Sequence, residues 1–288
     1  MEKIQKNKKG KIVYTLIIIL VILILLVIGW NKLQNYIFFH PWNDIVSYNK
    51  LQQIDEFKEI EIKNDEVNLS GWFWNIQNKN EKSPLVIFFT GNAQNSSNTM
   101  YNYYLSGKMK DVFENYNLMI IDYPGYGMSK GKPSDDSMFI ASKYIFEYAT
   151  KMKEVDRDNI VIMGYSIGTG VASYCASTTE ASGLILVAPY DKALSLYNDV
   201  IDSFHGSMQS LAKYSFDSAT YAESVKEPTL IFTSKNDEVM NYKHSLDLAG
   251  HFSELDDVVI IDGANHNGYF SQIQVLNGIT EFLNKVIK

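Results

Sequence analysis

The sequence predicts an α/β protein: a mostly parallel central sheet with an antiparallel N-terminal edge, helices on both faces, a small insert, and one N-terminal transmembrane helix. Three observations predict it. Six short, continuous apolar runs recur after residue 83, helix-compatible segments lie between them, and residues 12–30 are almost unbroken hydrocarbon. The 288 residues are 46% hydrophobic and 20% charged, which excludes a disordered chain and supplies one large core or two small ones. The net charge is −7; residues 1–30 carry five lysines and one glutamate, so the rest is near −11. An acidic body repels phosphate backbones, which argues against nucleic-acid binding. Cys175 is the lone cysteine, so the chain has no internal disulfide and no multi-cysteine zinc site; within "GVASYCAS" it reads as a packing residue.

The elements follow in chain order. Residues 1–11 are a basic tail, and residues 12–30, "IVYTLIIILVILILLVIGW", are the predicted anchor. Nineteen helical residues span about 28 Å, close to the apolar thickness of a bilayer. A cleaved signal peptide would carry a shorter apolar stretch and a small-residue cleavage motif. Here "GWNKLQNY" follows, and Trp30 and Tyr36 suit an interfacial belt. Lys3, Lys6, Lys8, Lys9 and Lys11 precede the span and only Lys32 follows closely. Positive charge stays inside, so the expected topology is single-pass, with a cytoplasmic N-terminus and an extracytoplasmic body. Residues 31–55, with a turn-forming proline in "HPWND" and weak periodicity, read as a juxtamembrane connector.

The body is expected over residues 56–288. "FKEIEIK" and "VNLSGWFW" alternate as half-buried antiparallel strands do. "PLVIFF" (84–89), "NLMIID" (117–122), "NIVIMG" (159–164), "GLILVA" (183–188), "PTLIFT" (228–233) and "DVVIID" (257–262) read as strands covered on both faces. Helices are predicted over 96–115, 135–153, 167–179, 239–251 and 269–287, and residues 190–227 form a small lid insert of one or two short helices.

"MGYSIGTG" (163–170) stops an apolar strand at a glycine and sets Ser166 between glycines, with the small-residue helix "TGVASYCAS" behind it. G-x-S-x-G alone is a weak signal, but strand, turn and helix in this order form an elbow that strains the serine backbone and exposes its hydroxyl at a helix N-terminus. A serine needs a base, and the base needs an orienting acid. Of His40, His205, His244, His251 and His266, only His266 directly follows a strand of the inferred sheet. His244 and His251 read as solvated residues of a surface helix, and His205 as a candidate pocket-lining residue. Asp237, just past a strand in "PTLIFTSKNDEVM", is the chosen acid, with Glu238 and Asp262 as competitors. The order Ser, Asp, His matches the chain order known for this geometry. Two backbone N–H groups are needed for the oxyanion; Ile167, after the nucleophile, supplies one, and Asn92, after Gly91 in "FFTGNAQN", the other.

Together these motifs resemble the α/β-hydrolase superfamily. "TGNAQN", "DYPGYGMSKGKPS", "GYSIG", "SKNDEV" and "GANH" occur in the expected order across about residues 57–287. The pattern is similar to a subgroup of membrane-anchored, single-domain serine hydrolases that includes lipid esterases and protein depalmitoylases. The resemblance implies an α/β-hydrolase fold, with Ser166 as nucleophile, His266 as base, Asp237 as acid, and Asn92 and Ile167 as oxyanion donors. Thr90 stands where the subgroup usually has histidine, a departure that bears on loop shape and substrate preference. "DYPGYGMS" lacks the G-K-[ST] ending of a phosphate loop.

The expected activity is hydrolysis of a carboxylic ester or thioester, with a lipid or acyl substrate, through an acyl-enzyme. This chemistry calls for no metal and no cofactor. Trp42, Trp72, Phe73 and Trp74 are candidates for an acyl-contacting surface, the last three being read first as strand packing. A serine peptidase of the same fold and a non-catalytic membrane-tethered binding protein are the rival readings.

Overall fold

The computed structural model describes residues 2–76, 82–200 and 202–287, with side chains from residue 11 onward apart from position 200. The chain divides into two compact units, residues 1–40 and 41–288. The first unit is dominated by one helix, α1 (Glu2–Phe38). Its stretch Lys11–Phe38 is long and apolar enough to cross a membrane, and the apolar side chains between Ile12 and Ile28 are exposed. The side chains of Lys3, Lys6, Lys8 and Lys9, on which the expected orientation rests, lie outside the described residues.

In the second unit, α2 (Ile45–Leu51) is a short helix inside the segment expected to be an irregular connector. Asp44 creates it by accepting hydrogen bonds from the Val46 and Ser47 amides at 3.1 and 3.0 Å. The sheet then begins with β1 (Phe57–Lys63) and β2 (Asn68–Trp74), which pair antiparallel. β3 (Ser83–Phe89), β4 (Asn117–Ile121), β5 (Val155–Tyr165), β6 (Gly183–Val187), β7 (Thr229–Ser234) and β8 (Leu255–Ile261) complete it. The order is β1-β2-β4-β3-β5-β6-β7-β8, antiparallel as far as β4 and parallel from there on.

Two strands depart from expectation. β2 is buried on both faces except at Asn68, although its sequence alternates. The reason is aromatic cover: Tyr48 packs on Trp72 and Tyr104 on Trp74, with ring centroids 5.4 and 6.1 Å apart. Trp72 and Trp74 each spend their indole N–H inside, on Ser97 Oγ and Glu56 Oε2, both at 2.9 Å. Trp72, Phe73 and Trp74 are therefore packing residues. β8 shows the opposite: its apolar run lies at the sheet edge and is largely exposed or half-exposed until Ile261.

Helices cover both faces of the sheet, with α3 (Ser96–Ser106), α4 (Lys108–Val112) and α10 (Ile273–Val286) packing as one group. α5 (Asp135–Lys151), α6 (Gly168–Thr178) and α8 (Ser218–Ala222) pack as another. α9 (Tyr242–Ala249) lies beside β7. α5 opens on a reciprocal capping box, Ser134 with Ser137, followed by Asp135 and Asp136, which favour the positive helix end. α10 buries Val275, Leu276, Ile279, Phe282, Leu283 and Val286, one face at helical spacing. The single helix expected over 96–115 is broken into α3 and α4 by Gly107, whose φ of +69° ends the first helix left-handed. The insert 190–227 holds α7 (Ala193–Val200), a 3₁₀ turn (Gly206–Leu211) and α8, and tucks Tyr190, Tyr197, Tyr214 and Phe216 inside.

Candidate active site

The chain leaves β3 toward β4 on one side and leaves β5 toward β6 on the other, so the strand order reverses between β3 and β5. In an open parallel sheet, the crevice at the carboxyl ends of such strands is where ligands bind. The loop 90–95 follows β3 there, and Ser166 follows β5.

Ser166 has φ +55°, a left-handed conformation that a non-glycine residue adopts only when its surroundings enforce it. The enforcement is visible. Ser166 N–H donates to Val187 O at 2.9 Å, and the Thr169 amide and hydroxyl donate to Ser166 O at 2.9 and 2.6 Å. A Cβ at Gly164 would lie 2.7 Å from that of Ala172, and a Cβ at Gly168 would overlap the carbonyl oxygens of Phe89 and Thr90. Glycine at both places lets α6 close onto the sheet with Ser166 at the bend. Ile167 precedes the first residue of α6, and its amide N–H has no protein acceptor among the described residues.

Ser166 Oγ lies 3.0 Å from His266 Nε2. His266 Nδ1 lies 3.0 and 2.9 Å from the two carboxylate oxygens of Asp237. The structure thus brings together a hydroxyl after β5, an imidazole after β8 and a carboxylate after β7. The Asp237 side chain is fully buried and that of His266 is 10% exposed. Asp237 Oδ1 also accepts from the Val239 and Met240 amides at 2.9 and 2.8 Å. Burial opposes its ionisation, but the bonds from His266 and these amides, with the attraction of His266, hold its carboxyl below the usual carboxylate range. Glu238 does not compete for the imidazole; it accepts from the His266 backbone N–H at 3.1 Å. Asp262 is exposed at the end of its strand. His205 is exposed and faces Asp202 at 2.6 Å, outside the row. His251 is solvated beside Glu223, whereas His244 is mostly buried, with Nε2 2.8 Å from Asp199 Oδ2 on α7. The expectation of a solvated His244 fails because its ring is held between Asp199 of α7 and Asp191, whose Oδ1 lies 3.6 Å from Nδ1.

Asn92 lies in the loop after β3 with its carboxamide turned into the fold: Oδ1 accepts from Tyr126 OH at 2.9 Å. Gln94 Oε1 takes the Gly91 amide at 2.8 Å, and Trp42 Nε1–H donates to Ala93 O at 2.6 Å. Asp122 binds the start of α3 through the Ser96 amide and hydroxyl at 2.6 and 2.8 Å, and the Met128 amide at 3.2 Å. Full burial pushes its carboxyl up to about 6 despite these donors. The motif "DYPGYGMS" is therefore a brace under the loop 90–95.

Sequence reasoning passed over two tyrosines. Tyr269 OH donates to Asp237 Oδ2 at 3.0 Å. Tyr165 stacks on the His266 ring, centroids 5.3 Å apart, and its OH donates to His266 O at 2.6 Å. Both phenols are pushed well above their ordinary range, first by burial and then by the Asp237 charge. Adjacency to Ser166 and the three-residue step from His266 are the signals that could have found them.

A doubly covered parallel sheet with a strained serine elbow at its switch point defines the class: an α/β hydrolase fold. A family model described as the alpha/beta hydrolase fold matches residues 84–209. The human alpha/beta hydrolase domain-containing protein 17C is 26% identical over 170 residues, covering 59% of this chain and 50% of the relative. The Caenorhabditis elegans alpha/beta hydrolase domain-containing protein aho-3 is 26% identical over 170 residues, covering 59% and 49%. The chain thus spans about half the length of the curated relatives it matches. Among solved structures, the Pyrococcus furiosus esterase Pf2001 superposes with a TM-score of 0.66 at 17% identity, covering 87% of this chain and 98% of that one. Est1E from Butyrivibrio proteoclasticus, with ferulic acid bound, gives 0.62 at 17% identity, covering 79% and 98%. The chain has the α/β-hydrolase fold, and the family model of that fold is matched over residues 84–209.

Proposed function

We propose that this protein is a membrane-anchored serine hydrolase that cleaves a carboxylic ester or thioester carrying a lipid or acyl group, through an acyl-enzyme on Ser166. The observation that carries the reading is the continuous row from Ser166 Oγ through His266 to Asp237, at 3.0 and 2.9 Å, on an elbow with φ +55°. The solved neighbour Pf2001 is an esterase by name, and Est1E holds ferulic acid, which supports acyl chemistry on this fold.

The row dictates the order of proton movements. Ser166 Oγ attacks the acyl carbonyl as His266 Nε2 takes its proton. Asp237 holds the Nδ1–H bond, so the neutral ring presents a lone pair at Nε2, and the charged ring that follows faces a carboxylate. The Ile167 amide, with that of Asn92, donates to the carbonyl oxygen as it becomes negative; the N-terminus of α6 favours the same charge. Collapse breaks the bond to the alkoxide or thiolate leaving group, which takes the proton from Nε2. Water then attacks the acyl carbon, giving one proton to Nε2, and Ser166 leaves with it. The apolar helix of the first unit supports anchoring, which concentrates the site at substrates that reside in lipid. An N-terminal side facing the cytoplasm, with the catalytic unit outside, completes the reading.

A fluorophosphonate probe tests it. The wild-type chain is expected to label and Ser166→Ala to remain unlabelled. Equal labelling of both would remove Ser166 from the role of nucleophile.

A further inference from the structure

The first turn of α2 is built inside out. Its buried positions are Ser47 and Leu51, while Ile45 and Val46 are 53% and 65% exposed and Trp42, just before it, is 41% exposed. Looseness does not explain this exposure. Asp44 caps the helix and also accepts from Asn98 Nδ2 on α3 at 3.0 Å, and Trp42 O accepts the Gly127 amide at 3.0 Å. The Trp42 indole N–H is spent on Ala93 O at 2.6 Å, so the exposed part of the ring is hydrocarbon with no polar edge left to hydrate. Farther along the same exposed face come Asn49 and Lys50, so the apolar surface is confined to one end of the helix. Only Phe39, His40 and Pro41 separate that end from the last residue of α1. Fully extended, such a link reaches about 14 Å.

We propose that Trp42, Ile45 and Val46 form a second membrane contact, seated at the boundary of headgroups and acyl chains in the bilayer that α1 spans. The proposal rests on the reading of the chain as a membrane-anchored hydrolase and adds a device to it. Because Trp42 holds Ala93 directly, the patch ties the loop 90–95 to the lipid surface. An acyl group can then meet the site without crossing open water. The apolar end of the helix enters the interface, and Lys50, one turn on, keeps its ammonium in water.

The test uses the full chain in phosphatidylcholine vesicles. Val46→Cys carries an environment-sensitive fluorophore; Cys175 is fully buried and stays unlabelled. Arg157→Cys is the control, its native side chain 70% exposed near the opposite end of β5 from Ser166. The fluorophore at 46 is expected to emit to the blue of that at 157 and to be quenched at least about twofold more by nitroxide-bearing lipids, as burial at the acyl boundary requires. Water-like emission at 46 overturns the proposal. So does blue emission that lipid nitroxides do not quench, which would mean a protein, such as a second copy, covers the patch. A second arm compares esters. Ile45→Asp with Val46→Asp is expected to cut turnover of a long-chain ester held in vesicles roughly tenfold, and to leave soluble p-nitrophenyl acetate within about twofold. Equal loss on both esters also overturns the proposal. A wild-type chain inactive on every ester would sink the hydrolase reading alone, with lipid quenching still deciding the patch.

Discussion

Asp237→Asn isolates the electrostatic part of the proposed mechanism. The native carboxylate takes four donors: His266 Nδ1–H, Tyr269 OH, and the Val239 and Met240 amides. The two amides are backbone and cannot turn, so an asparagine must give its oxygen to them. Its NH₂ then occupies the Oδ2 position, 2.9 Å from Nδ1. Donating there forces the imidazole proton onto Nε2, where it points at Ser166 Oγ and blocks proton transfer. The charge is lost as well. A carboxylate and an imidazolium with charge centres about 4 Å apart attract by about 4 kcal/mol at an effective dielectric near 20, a factor of about 10³ in rate. Adding the wrong tautomer brings the expected loss in kcat/KM to about 10⁴, the size known for this substitution in a serine protease triad. Packing is nearly unchanged, so Tm should fall by only a few degrees, the amount that one hydrogen bond of about 1 kcal/mol represents. The assay is p-nitrophenyl butyrate hydrolysis in detergent, with the rate of fluorophosphonate labelling as a second readout. Retention of more than about a tenth of wild-type kcat/KM would refute the reasoning.

Two further outcomes follow from the loops that hold the row. Asp122, with its carboxyl raised to about 6 by burial, contributes stability that is complete below its unfolded value near 3.8 and is lost as pH rises through 6. Between pH 5 and 7 the wild type should therefore lose about 1 kcal/mol relative to Asp122→Asn, about 2–4 °C in Tm, and a pH-independent gap would contradict it. Gly168→Ala drives a methyl into the Phe89 and Thr90 carbonyls, forcing the elbow from the loop 90–95. It should cost about 1–3 kcal/mol in thermal unfolding and at least about 10² in kcat/KM; wild-type turnover would show that the two loops need not touch.

Much of this arrangement was legible because it depends on local chemistry. Continuous apolar runs marked β3 to β7 because both faces of those strands are covered. The elbow was legible because its glycines are demanded by backbone contacts within α6 and against β3. His266 stood out by following a strand, and the structure sets it against the chosen serine and carboxylate. What escaped depended on partners distant in sequence. The double burial of β2 needs Tyr48 and Tyr104, which no alternation pattern reports. The edge position of β8 depends on there being no strand beyond it in the order among the described residues. The break at Gly107 was hidden because apolar spacing resumes in α4. Tyr165 and Tyr269 look like packing aromatics until their hydroxyls are traced to His266 and Asp237. His244 looked solvated because α7 lies outside its own helix pattern.

The insert 190–227 has a consequence beyond packing α8 against α6. None of the groups in the hydrogen-bonded row comes from it: the serine, imidazole, carboxylate, supporting tyrosine and two amides all belong to other segments. The insert reaches the elbow through Tyr190, whose OH donates to Ile167 O at 3.4 Å. A substitution in the insert can therefore reach the elbow's backbone through Tyr190 without touching the hydrogen-bonded row.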